Sequence, residues 1–192
     1  MRSDAAPPGV SFFLMRDMDL AGGSMNAGPE LDAGNVVEYF KRSYRAVDGL
    51  WFMKVEERYG FDTALEIDDD VWRVMPKIQA RALKSMMNES NGLDALLRCF
   101  AAKLSLEEFE FASTSDGRCA RFVVTRCPWH EIMVRAGRAE LNERVGSRIC
   151  WSELEVWASE FGEGIVPRRG RRICRGDERC EIEFELNKGE ER

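Results

Sequence analysis

The apolar residues of this 192-residue chain repeat with two different periods, and the change falls at Leu106. Upstream they recur at three- and four-residue steps, which is one face of a helix. Downstream, Phe109 and Phe111 alternate with Glu108 and Glu110, the two-residue period of a half-buried strand. A helical half followed by an alternating half predicts an α+β chain with its helices packed on an antiparallel sheet.

The upstream half reads as successive helices. Val36, Val37, Phe40, Tyr44, Val47, Trp51 and Val55 predict a first helix from an Asn35 cap to a stop at Gly60. Asp48-Gly49 interrupts it beside Trp51 and Phe52, a place where a pocket could be lined. The stripe itself is expected in the core. Asp62 is placed to cap a second helix, and Asp68, Asp69 and Asp70 read as the acidic start of the next. That helix would carry Val71, Trp72, Val74, Ile78, Leu83 and Met87, with Pro76 in its first turn or at a kink. After the turn at 88–92, Leu93, Leu96, Leu97, Phe100 and Leu104 predict another helix, with Cys99 as a buried small hydrophobe.

The downstream half opens with a hairpin around the turn STSDG, 113–117, followed by the strand beginning at Cys119. Cys127 as cap and Pro128 at the first helical position start a helix running to about Gly137. Ser152 and Glu155 form a capping-box pattern for a further helix ended by Gly162. Two last strands, over 165–174 and 179–186, flank the turn Arg175–Arg179. The expectation is therefore about four antiparallel strands, N-terminal helices packed on them, and two further helices. Residues 1–34, rich in Gly, Ala and Pro, read as a disordered leader with Met25 as an alternative start. A helical region over 35–105 and an α+β region over 106–188 would form one domain.

Hydrophobic residues make up 44% and charged residues 32%, the balance of a globular protein. The formal charge of −6 is mixed along the chain and carries no nucleic-acid footprint. Arg168, Arg169, Arg171 and Arg172 form a short basic run, read as a solvated strand or hairpin. No apolar run reaches the length of a membrane span and no secretory signal is apparent. These observations point to a cytoplasmic protein, with cysteines as thiols or metal ligands rather than disulfides.

Four of the six cysteines and the single histidine fall between Cys127 and Cys180. Cys174 and Cys180, if opposed across a hairpin, would be close enough for two thiolates to share a tetrahedral ion with Zn–S bonds of about 2.3 Å. Cys127 and His130, three apart at a helix start, can face one way, and the dipole there favours a thiolate. Cys150 is placed just before a helix. Cys127, His130, Cys150, Cys174 and Cys180 are thus five candidates for four positions. Zinc suits such a donor set, with an iron–sulfur cluster behind it. A metal-free alternative makes Cys127 or Cys150 a nucleophile with His130 as its base. No phosphate loop, dinucleotide fingerprint or serine triad pattern is present.

DGLWF, EERYGFDTALEIDDDVW, TRCPW, Cys150 and CRGDERCEIEF together resemble the family of proteins related to L-2-amino-thiazoline-4-carboxylic acid hydrolase, over Val36 to Leu186. The closing cysteine hairpin and Cys150 also resemble the 4-vinyl-reductase-type small-molecule-binding domain. The first resemblance implies hydrolysis of a small C–N ring, with Cys127 or His130 nearest the chemistry. The second implies zinc held by Cys150, Cys174 and Cys180, an apolar pocket lined by residues such as Trp51 and Trp72, and a binding or sensing role. The family's zinc-ligating glutamate has no counterpart beside Cys174, where arginines stand instead. The partner expected is a small molecule, with self-association left open.

Overall fold

The computed structural model describes residues 30–187, so the leader and Met25 lie largely or wholly outside the described residues. Backbone contacts separate the residues up to Glu38 from those from Tyr39 onward. The sheet, the core and the candidate site belong to the second group.

Among the described residues, six α-helices and four strands follow in the order α1 (Ala33–Tyr59), α2 (Phe61–Trp72), α3 (Met75–Met86), α4 (Leu93–Leu106), β1 (Glu110–Ser115), β2 (Cys119–Arg126), α5 (Pro128–Arg135), α6 (Asn142–Phe161), β3 (Ile165–Arg169) and β4 (Cys180–Leu186). The strands form one antiparallel sheet in the order β1-β2-β4-β3. The α+β class holds. Pro167 sits on β3, an edge strand, where its missing N–H does little harm. Gly60 and Gly92 take left-handed φ values of 85° and 116° at helix junctions, conformations that L side chains rarely adopt.

The core forms where α4 and α6 meet the sheet. The Phe100 ring lies 5.0 Å from Phe122, 5.2 Å from Trp157 and 5.3 Å from Phe184, edge to face each time. Cys99 is buried among these residues, as expected.

Four sequence expectations change. The first-helix stripe is not core: α1 has no buried residue, and Phe40, Val47 and Trp51 are 63–65% exposed. From Tyr39 onward α1 is held by polar contacts, Lys41 and Arg45 to Glu108 and Glu56 to Arg138, and by the half-buried rings of Tyr44 and Phe52 against Trp129 and Phe61. Asp68–Asp70 occupy the last turn of α2, the negative end of its dipole, because α2 runs unbroken to Trp72. Pro76 starts α3 separately. Cys150 and Ser152 lie inside α6, which begins ten residues earlier than the capping pattern suggested. Ser152 is a buried donor to Asp69 rather than a cap. Finally, β3 stops at Arg169, so Cys174 sits in a 3₁₀ turn over Ile173–Arg175, and the ladder neighbour of Cys180 is Val124 on β2.

Candidate functional site

Helix α6 supplies one wall of a cavity of about 160 Å³ through Asn142, Gly146, Ile149, Cys150 and Glu153. The α5 start contributes Cys127, Trp129 and His130, and the loop into β4 contributes Cys174 and Cys180. Asp48 of α1, Asp68 and Trp72 of α2, Lys103 of α4, and Arg169, Arg171 and Arg172 also line it. All five sequence-predicted residues therefore face one space.

Local structure explains each placement. Cys127 is the N-cap of α5, as expected, and its sulfur accepts the His130 backbone N–H at 3.5 Å. Cys180 Sγ accepts the Ile173 backbone N–H at 3.2 Å. Such N–H donors favour sulfur in its anionic form. Cys174 approaches α6 because position 146 is glycine. A Cβ there would lie 2.9 Å from Cys174 Sγ and 3.9 Å from Cys150 Sγ. Cys150 is solvent-accessible yet ringed by protein, as a side chain protruding into a cavity is.

Electrostatics link the sulfurs. Burial, then Glu153, then Cys127, Cys174 and Cys180 push the Cys150 thiol far up. Burial lifts Cys127 to about 11 against the hydrogen bond from His130. Burial also raises Cys174 and Cys180. Four thiols raised together by burial and mutual proximity are four groups that a cation would stabilise as thiolates. His130 Nδ1 is buried without a hydrogen-bond partner. The donor types and the cleared space at Gly146 suit a thiophilic ion, but among the described residues no three of these five donor atoms lie within 4.8 Å of one another. Among the described residues, the one triplet of His, Cys, Asp or Glu donor atoms within 4.8 Å of one another is Cys119, Glu183 and Glu185. The five predicted residues thus share a cavity without converging on one point. In that triplet Glu183 and Glu185 already pair with Arg121 and Arg168.

A second group was not read as one charged site from sequence, although Asp48-Gly49 and Trp72 were each expected near a pocket. Lys103 is 4% exposed and sits 2.6 Å from Glu153 and 3.2 Å from Glu107. Burial works against its charge, but the two carboxylates outweigh it and raise its pKa. Trp129 Nε1 donates to Glu107 at 3.2 Å. Beyond them, burial pushes Asp48 up to about 6 and Asp68 up to about 7, Asp68 further through Asp48 and Asp69, while hydrogen bonding from Trp72 pulls both down. The signal available in the sequence was the i, i+4 spacing of Asp68 and Trp72 on one helix face, masked by reading the triplet as a helix start. Trp51, proposed for the pocket, is instead exposed. The arginine run is less solvated than expected: Arg169 lies 4.8 Å over Trp151 and donates to the carbonyls of Gly146 and Ser147. It also lines a wider, more open hollow of about 1120 Å³ with Arg121, Arg168 and Arg172.

Residues 30–173 match the model of a family of unknown function, DUF6125. The chain belongs to that family. Comparison with curated proteins found no match. Among solved structures the chain is similar to the crystal structure of the phenol-responsive sensory domain of the transcription activator PoxR with phenol. The TM-score is 0.44 at 12% identity, covering 73% of each chain. Among the described residues no helix is long and apolar enough to cross a membrane.

Proposed function

We propose that this DUF6125 chain is a small-molecule-binding domain whose cavity wall is pinned by zinc at Cys127, Cys150, Cys174 and Cys180, in the manner of a 4-vinyl-reductase-type domain. The observation that carries this reading is that four sulfurs from α5, α6, a 3₁₀ turn and β4 face one cavity. Cys127 is preferred to His130 as the fourth ligand because its sulfur couples electrostatically to Cys180 and Cys150. Bound zinc would lower the thiol pKa values and tie the 173–180 loop to α6. His130 then stays free to meet a ligand through Nδ1. An iron–sulfur cluster would draw on the same thiols.

Metal analysis of anaerobically purified protein tests the reading. About one equivalent of zinc is expected, falling sharply in Cys174→Ser. Metal-free protein with its fold intact would overturn it.

One observation favours a second reading, a hydrolase of small C–N rings such as 2-amino-thiazoline-4-carboxylate. Asp48 and Asp68 titrate near neutrality in the same cavity, so one could hold and the other release a proton at physiological pH. In this reading Cys127 and His130 lie nearest the substrate. A Cys127 thiol titrating near 11 is a poor nucleophile without a neighbouring cation, so the acids would carry the proton transfers. Ring-opening turnover that is lost in Asp68→Asn but retained in Trp51→Ser would establish it.

A further inference from the structure

Arg169, Arg171 and Arg172 also line the cavity, but Arg169 and Arg172 act on the thiols and Arg171 pairs with Glu181; the part away from the cysteines has its charges unbalanced. Asp48 and Asp68 line the cavity, and among the described residues neither is paired with a cation. The cations on the elements around them are committed elsewhere. Arg45 pairs with Glu108, Arg73 and Arg148 with Asp69, Arg138 with Glu56, and Lys103 with both Glu107 and Glu153. Lys103 is thus already balanced by Glu107 and Glu153, which leaves Asp48 and Asp68 without a cation of their own.

Aromatic rings stand beside these acids. Trp72 is 5% exposed and Trp129 packs edge to face against it at 6.0 Å, both lining the cavity. Tyr44 meets the other side of Trp129 at 6.0 Å, and its buried hydroxyl has no partner. Asn142, 6% exposed on the same cavity, has an unpartnered Nδ2. Indole faces attract cations, more strongly when desolvated. Unsatisfied buried polar groups in a cavity of this size mark a place where a ligand or water completes the bonding.

We propose that Asp48, Asp68, Trp72 and Trp129 form a subsite for a small organic cation, an ammonium or amidinium on a single ring or short chain. The inference rests on the cavity being a small-molecule site, and it adds the charge of the ligand. A diffuse cation suits the geometry better than a metal ion. The acids do not converge within 4.8 Å in threes, and indoles offer no hard oxygen ligands. The volume, about 160 Å³, is near that of a cavity that takes one benzene-sized molecule, about 150 Å³.

The test is calorimetric titration of the full chain as purified, using benzamidine and, as a neutral aromatic of similar size, benzyl alcohol. Benzamidine is expected to bind at least about tenfold more tightly. It should release protons near pH 6, where the acids are partly protonated, and none near pH 9. The Asp48→Asn/Asp68→Asn double variant, isosteric and without those two charges, should reduce the preference to within about twofold. Trp72→Phe should weaken benzamidine more than benzyl alcohol. Equal binding of the two compounds, or a preference that survives the double variant, overturns the cation subsite and leaves the cavity reading standing. Binding of neither compound at about 10 mM overturns both.

Discussion

A methyl group at Gly146 would sit 2.9 Å from Cys174 Sγ and 3.1 Å from its Cβ, closer than the 3₁₀ turn can tolerate without moving. Gly146→Ala is therefore expected to cost about 1–3 kcal/mol, as overpacking typically does, despite the better helix propensity of alanine. Urea denaturation of the two proteins measures it, and if zinc pins the cavity wall as proposed, metal content should fall in parallel. The acid pair gives a pH signature. Asp48 and Asp68 titrate at an ordinary 3.8 when unfolded and at about 6 and 7 when folded, so the folded chain holds their protons more tightly. That contribution to stability is full below about pH 4 and is lost as pH rises through 6 and 7. Asp68→Asn should thus be more stable than the parent at pH 8, by about 1–2 kcal/mol once solvent screening is allowed for. The difference should shrink towards pH 4 in the same denaturation experiment. Asp69 behaves oppositely. Burial opposes its charge, but hydrogen bonds from Ser152, Arg148 and Arg73 hold its pKa below the usual range, and that stabilisation is lost only as pH falls below about 4. Two adjacent aspartates with opposite roles could not be told apart from the run Asp68-Asp69-Asp70. What separates them is which face of α2 meets α6 and which meets the cavity.

Helices α1 and α6 show why amphipathic pattern alone locates an element without saying what covers it. The stripe Val36–Trp51 has the right period, and a helix is there, but its apolar side lies open. Trp51→Ser should change the unfolding free energy by less than about 0.5 kcal/mol. Trp157→Ala, on a fully buried ring stacked at 5.9 Å on Phe161, should cost about 3–5 kcal/mol. Thermal and chemical denaturation of the two variants separates these cases. For α6, the Ser152 and Glu155 pattern imitated a start in the middle of a helix. Ser152 spends its hydroxyl on Asp69, 83 residues away in the chain. A capping box and a buried inter-helix donor look alike until the partner helix is in place.

Across the whole molecule, the sheet and its hairpins followed from local signals, namely the Asp-Gly turn, the alternating Cys180–Leu186 run and the Cys127-Pro128 helix start. The membership of the cysteine wall was legible too, because thiols and imidazole are rare enough in this chain to stand out. Its geometry was not. The pairing of Cys174 with Cys180 depended on a hairpin that ends at Arg169, where the chain turns away to reach α6. Asp48-Gly49 and Trp72 were each legible as pocket candidates, but the acids and indoles could not be read as one site because they come from α1, α2 and α5, and only packing brings them together.

Helix α6 bears the cavity at Gly146 and Cys150, the buried tie to Asp69 at Ser152, and the ring stack at Trp157 and Phe161. A 20-residue helix extends about 30 Å. Backbone amides in its final turn should therefore exchange with deuterium more slowly when the cavity is filled, although no ligand atom comes near them, because the helix opens as one cooperative unit. Hydrogen-exchange mass spectrometry with and without benzamidine reads this directly. Slowing confined to the first two turns would mean that occupancy of the cavity and integrity of the core are separate thermodynamic matters.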